Sequence, residues 1–132
     1  MMQILQPPSW AKPRGFSNGI AVRGGTTVYV SGQVGWNNGS WDAKDFTGQF
    51  RQALRNIFEV LAQAQGRPEH IVRLTWYVVD RGEYLASLKG VGEAYRELMG
   101  RHYPAMSVVQ VSALVESLAR LEIEATAVIP DS

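Results

Sequence analysis

Residues 103–130 read Y-P-A-M-S-V-V-Q-V-S-A-L-V-E-S-L-A-R-L-E-I-E-A-T-A-V-I-P, and their reading decides the fold. Two alternating stretches are joined by a polar loop. Over 121–129, Leu121, Ile123, Ala125, Ala127 and Ile129 fall on one side of an extended chain, and Glu122, Glu124, Thr126 and Val128 fall on the other. Two carboxylates spaced by two residues therefore point the same way from a strand otherwise built like core. That face is either wet or lines a site.

Upstream, residues 71–79 form one continuous strand pattern with long side chains on both faces, the pattern of a strand covered on both sides. A helix opens at Asp45, with Phe46, Phe50, Ala53, Leu54, Ile57, Phe58 and Leu61 at helical spacing, and Gly66 and Pro68 end it. A second helix is expected over about 83–99, its stripe formed by Tyr84, Leu88, Val91, Tyr95 and Leu98. Gly90 and Gly92 interrupt that stripe and suggest close backbone packing. Residues 20–22 and 27–31 suggest a hairpin around Gly24-Gly25, and residues 34–41 a loop. Residues 1–19 read as irregular, with Pro7, Pro8 and Pro13 preventing a helix.

The order β-β-α-β-α-β-β describes a single α+β domain over 1–132, a mixed sheet of about five or six strands with two helices packed on one face. The other face would carry Trp76 or Tyr77, part of the Met106 strand, and Glu122 to Val128. A largely apolar sheet face left to solvent is unfavourable, so self-association is expected to cover it.

Composition narrows the function classes. The chain has 132 residues, enough for one domain, with 45 % apolar and 19 % charged residues and a net charge of +1. The cations are scattered, whereas a nucleic-acid footprint needs clustering. Cysteine is absent, which excludes disulfides, thiolate nucleophiles and Cys-based zinc sites. The start of the chain lacks a secretory pattern and no apolar run approaches a membrane span, so the expectation is a cytoplasmic protein with no membrane partner. His70 and His102 are the only imidazoles and form no H-x-x-H pattern, so no metal site is expected. Residues 90–95 lack the third glycine of a dinucleotide fingerprint, and no Ser-His-Asp arrangement is readable.

Several motifs in order resemble those of the Rid proteins (reactive intermediate deaminases, the YjgF family): S-G-Q at 31–33, a helix, a strand, a helix, then Y-P-A-x-S at 103–107 and I-E-A at 123–125. The resemblance covers nearly the whole chain. It implies a chorismate-mutase-like fold, a homotrimer with its sheets wrapped into a central barrel, ligand clefts between neighbouring subunits, and no cofactor. It also implies a water-activating glutamate at Glu122 and a pocket lined by the backbone at Ser31 and Gly32.

Departures from the family pattern bear on substrate. Met106 stands where the best-known members carry the Arg that grips a substrate carboxylate, Phe16 where many have Tyr, Gly92 where some have Asn, and Val108 at another pocket position. An Arg fork makes two parallel charge-assisted bonds, whereas Met offers only dispersion. Arg14, Arg101 and His102 are the candidate replacement cations. His102 is also readable as an acid, a base, or a cap of the preceding helix. Trp36 and Trp41 flank Asn37-Asn38-Gly39 and would form either a lid or a stapled hairpin. Glu122 is otherwise readable as half of a salt bridge with Arg120 or Arg73, and Glu124 as half of a structural ion pair.

Two functions compete. One is hydrolysis of a small enamine or imine to a carbonyl compound and ammonia, with Glu122 positioning water, Gly32 aligning the substrate, and Met106, Phe16 and Trp36 shaping an apolar wall. The substrate would differ from the usual 2-imino acids. The other is a non-catalytic small-molecule-binding or regulatory trimer. A ribonuclease reading has little behind it, because there is no basic track and no paired histidines.

Overall fold

The computed structural model describes residues 2–131. A four-stranded mixed sheet has the order β3-β6-β4-β5, formed by Thr26–Val34 (β3), Leu121–Ile129 (β6), Ile71–Val78 (β4) and Ala105–Gln110 (β5). β6 runs antiparallel to both β3 and β4, and β5 runs parallel to β4. A separate two-stranded sheet pairs Met2–Leu5 (β1) with Gly19–Val22 (β2).

Two sequence expectations change here. Residues 2–5 form a strand rather than irregular chain, and β2 pairs with β1 rather than forming a hairpin with β3. The chain does turn at Gly24-Gly25, but β3 takes a remote partner, from Thr26 opposite Ile129 onward, and the Gly25 amide donates to the Asp131 carboxylate at 3.3 Å. The main sheet accordingly has four strands, not five or six.

Helix α1, Phe46–Ala62, begins where expected: the Gly48 amide donates to Oδ1 of Asp45 at 3.1 Å, a cap worth about 1 kcal/mol. Its buried face, Phe46, Phe50, Ala53, Leu54, Ile57 and Leu61, joins the inward residues of β4 and β6 in one core. A short 3-10 helix, Pro68–His70, leads into β4.

The second helical region is two helices, α2 (Arg81–Ala86) and α3 (Leu88–Met99). Ser87 separates them at φ −99°, ψ 3°, and its hydroxyl donates to the Glu83 carbonyl at 2.8 Å. A hydroxyl bonded four residues back competes with the helical ladder. Gly90 meets the expectation of close packing, since a Cβ there would stand 3.0 Å from Oγ1 of Thr47. Gly92 does not, since a Cβ there would meet nothing within 4 Å.

Face assignment follows from register. Leu74, Trp76 and Val78 point into the helix-covered core, while Thr75 and Tyr77 point away. On β6 the inward residues are Leu121, Ile123, Ala125 and Ala127, leaving Glu122, Glu124, Thr126 and Val128 on the uncovered face, as the alternation predicts. Leu74 lies opposite Met106 and Trp76 opposite Val108, so Met106 and Val108 pack on the helix side against the core. Of the Met106 strand, Met106 and Val108 thus lie on the helix side, and of the alternatives Trp76 and Tyr77 it is Tyr77 that belongs to the uncovered face. The uncovered face is also more polar than expected, carrying Tyr29, Thr75, Tyr77, Glu122, Glu124 and Thr126. Among the described residues no helix is long and apolar enough to cross a membrane.

Candidate functional site

The residues singled out in the sequence separate onto two sides of the sheet. On the helix side, a cavity of about 610 Å³ opens between edge strand β5, helix α3 and the N-terminal arm. The sheet contributes Trp76, Met106 and Val108 to it, α3 contributes Leu88, Val91, Gly92, Tyr95 and Arg96, and the arm contributes Arg14, Gly15 and Phe16. Tyr84 and Tyr103 complete the wall.

The arm is held in place at Ser17. Its amide donates to the Pro104 carbonyl at 3.0 Å, its hydroxyl donates to the Tyr103 carbonyl, and it forms a parallel bridge with Ala105 at the start of β5. Gly15, at φ +79°, makes the left-handed turn between Arg14 and Phe16 that a side chain would resist.

Neutral aromatic groups dominate the cavity. Tyr95 stacks on Tyr103 with ring centroids 5.4 Å apart and donates its hydroxyl to the His102 carbonyl at 2.6 Å. Burial, with a smaller effect from Tyr103, pushes the Tyr95 phenol far above its ordinary value, and burial also raises that of Tyr84. Both phenols stay protonated throughout the physiological range. Trp76 Nε1 is buried without a hydrogen-bond partner. The charges are those of Arg14 and Arg96, whose side chains enter no hydrogen bond or ion pair among the described residues.

Met106, Val108, Phe16 and Arg14 therefore share one cavity. His102 does not join them: its Nε2 lies 2.6 Å from the Ile71 carbonyl and ties the segment after α3 to the start of β4. Arg101 is exposed and outside the cavity lining. Trp36 lies on a different groove, with Gln33, Asn56 and Val60. Its neighbours Asn37 and Ser40 bond each other across Asn38-Gly39 as a tight hairpin. Among the described residues Trp36 and Trp41 make no ring contact.

The uncovered face holds Glu122 with Gly32 and Ser31. The β3–β6 pairing shifts register between Val30 and Gln33, so Ser31 and Gly32 form a bulge beside β6. A Cβ at Gly32 would overlap Oε2 of Glu122 and stand 2.7 Å from its Cδ, so only glycine leaves that carboxylate its place. The Glu122 carboxylate makes no hydrogen bond or ion pair among the described residues. Arg120, one expected partner, pairs instead with Glu83 at 2.8 Å. Glu124 is not half of an ion pair: Oε1 accepts from the Tyr77 hydroxyl at 2.6 Å, and this bond raises the Tyr77 phenol above its usual range. The described residues contain no cluster of three or more His, Asp or Glu arranged to hold a metal ion.

The family described as Endoribonuclease L-PSP, the YjgF/Rid group, matches residues 10–129, nearly the entire chain. The chain belongs to the Rid family. A human Rid relative, 2-iminobutanoate/2-iminopropanoate deaminase, is 31 % identical over 104 residues, covering 77 % of this chain and 72 % of the relative. The Yersinia pestis Rid protein YyfB superposes with a TM-score of 0.85 at 33 % identity, covering 97 % of this chain and 98 % of that one. The Escherichia coli YjgF gene product superposes with a TM-score of 0.67 at 31 % identity, covering 86 % and 87 %. The α+β fold is thus the chorismate-mutase-like fold of the Rid proteins.

Sequence reasoning missed Arg96. An arginine on an exposed helix turn is ordinary, and the usable signal was its spacing. It stands four residues beyond Gly92 and eight beyond Leu88, on the stripe that faces the cavity.

Proposed function

We propose that this Rid chain is a hydrolytic deaminase of small imines or enamines, acting in a cleft between subunits of a homotrimer on substrates other than the short 2-imino acids. One observation carries the reading. Glu122 is an unpaired carboxylate seated over the Gly32 backbone on the uncovered sheet face, whereas the Met106 cavity opens on the opposite face. A site that uses both must draw them from two copies of the chain, which agrees with an inter-subunit cleft. The names of the relatives support the reaction class.

The chemistry needs few groups. Water adds to the electrophilic C=N carbon while Glu122 orients it and accepts its proton. The carboxylate passes that proton to the imine nitrogen, giving the carbinolamine, and then relays the carbinolamine's hydroxyl proton to the nitrogen as the C–N bond breaks, so that imine and water yield a carbonyl compound and ammonia. Orientation supplies most of the acceleration and the acid–base group supplies a further share. Met106 supports the shift in substrate: the strand wall offers no cation to the carboxylate of a short 2-imino acid seated against it.

The second reading, a non-catalytic small-molecule-binding trimer, is favoured by the same Met106. Ammonia release from freshly generated imines, with and without a carboxylate, separates the two. Turnover that is lost in Glu122→Gln supports the deaminase, and no turnover by the native protein on any member of the panel supports the binding trimer.

A further inference from the structure

We propose that the Met106 cavity selects a carboxylate-bearing substrate with a bulky aromatic or branched body, gripped by Arg96 with Arg14 instead of by a strand residue. This rests on the deaminase reading and supplies its substrate class.

The charge pattern is the first ground. Arg51, Arg67 and Arg120 are each paired with a glutamate, but Arg14 and Arg96 are not, and both line the cavity. Glu97, beside Arg96 in sequence, reaches away to Arg51 at 2.6 Å and leaves Arg96 without an anion. The remaining lining is apolar or consists of tyrosines, of which Tyr84 and Tyr95 are held neutral by burial. Two permanently charged guanidiniums beside a largely apolar cavity complement one small anion, and a carboxylate suits the guanidinium fork.

Space is the second ground. Leu88, Gly92 and Arg96 follow one another at single-turn spacing along α3, and Gly92 has no atom within 4 Å of where its Cβ would be. That leaves an open berth on the helix between an apolar residue and a cation, in the cavity that the polarisable thioether of Met106 also lines. The cavity volume of about 610 Å³ lies in the range of pockets that enclose ligands much larger than a three-carbon acid. With Met106 on the strand wall, the charge of the cavity sits on α3 and on the N-terminal arm.

Calorimetric titration of the native protein with phenylpyruvate, its methyl ester and pyruvate tests the assignment. Phenylpyruvate is the carbonyl product of the phenylalanine-derived imine. It is expected to bind at least about 10-fold more tightly than the ester, the effect of one charge-assisted contact. Arg96→Gln should abolish that difference, Arg14→Gln should reduce it, and Arg101→Gln should preserve it. Phenylpyruvate binding no tighter than pyruvate, or binding unchanged in both Arg14→Gln and Arg96→Gln, overturns the assignment. If ammonia release persists in that case, the deaminase reading stands without it. Arg96-dependent binding in a protein that releases no ammonia leaves the ligand class standing and removes the deaminase.

Discussion

The carboxylate of Glu122 occupies the volume that any side chain at Gly32 would need, with Cδ 2.7 Å from the position of a Cβ there. The obstructing atoms are the far end of a flexible side chain, not backbone. Gly32→Ala is therefore expected to fold and assemble normally by circular dichroism and light scattering while pushing the carboxylate aside. Displacement on that scale should lower kcat by roughly 10- to 100-fold. Unchanged kcat would show that the placement of Glu122 over Gly32 does not matter for turnover.

Glu122→Gln keeps the volume and removes the proton acceptor. Turnover of a responsive imine should fall by a factor on the order of 10² to 10⁴, typical for a lost acid–base group. Glu124→Gln, on the same face, should change turnover little. Steady-state ammonia release from the two variants side by side distinguishes them.

The opposed positions of Glu122 and Met106 permit a complementation test. Light scattering is expected to report about three times 14.6 kDa. Gly92→Trp should fill the cavity, since no atom outside its own stretch of helix stands within 4 Å of a Cβ there, and should be inactive, as should Glu122→Gln. Subunits of the two variants, mixed under exchange conditions, should recover activity in about a quarter of the clefts of a closed ring. No recovery would place both residues' work within one subunit.

Tyr77 and Glu124 make a prediction about alkaline pH. The folded pKa of Tyr77 is raised because its proton is held by Glu124. The stabilisation is therefore fully present below the unfolded phenol value and is lost as pH rises through the folded one. Absorbance titration near 295 nm should show Tyr77 ionising late together with the buried Tyr84 and Tyr95, and Glu124→Gln should move one of these late ionisations toward the ordinary phenol range.

Met106→Arg adds a cation to the strand wall of the cavity. It should increase ammonia release from 2-aminoacrylate relative to the native protein. The native chain should remain a poor catalyst of that short substrate beside an Arg-bearing relative. Equal native rates on 2-aminoacrylate would remove Met106 as the determinant.

Much of this was readable before the fold was known, for identifiable reasons. The Asp45 cap and the α1 stripe are local, and β6 alternates so cleanly that its buried residues follow from parity alone. Pairing is not local. β1 exists because β2 lies opposite it, and β3 leaves β2 for β6. The side on which Met106 lies depends on its register with Leu74, which no short window contains. For the same reason Glu122 and Met106, read from the motifs as parts of one cleft, lie within one chain on opposite faces of the sheet. Arg96 could not be told from any solvated helix arginine until the cavity beneath it was in view.

The seam at Ser17 has a consequence of its own. Arg14 and Phe16 hang from an arm fastened to β5 by Ser17, and Gly92 and Arg96 ride on α3; none belongs to the β6 ladder that carries Glu122. Mutational drift at these four residues can therefore remodel what is admitted while the strand register around the acid stays intact. The scaffold is modular in an evolutionary sense: the cavity wall and the strand that carries Glu122 are free to change at different rates.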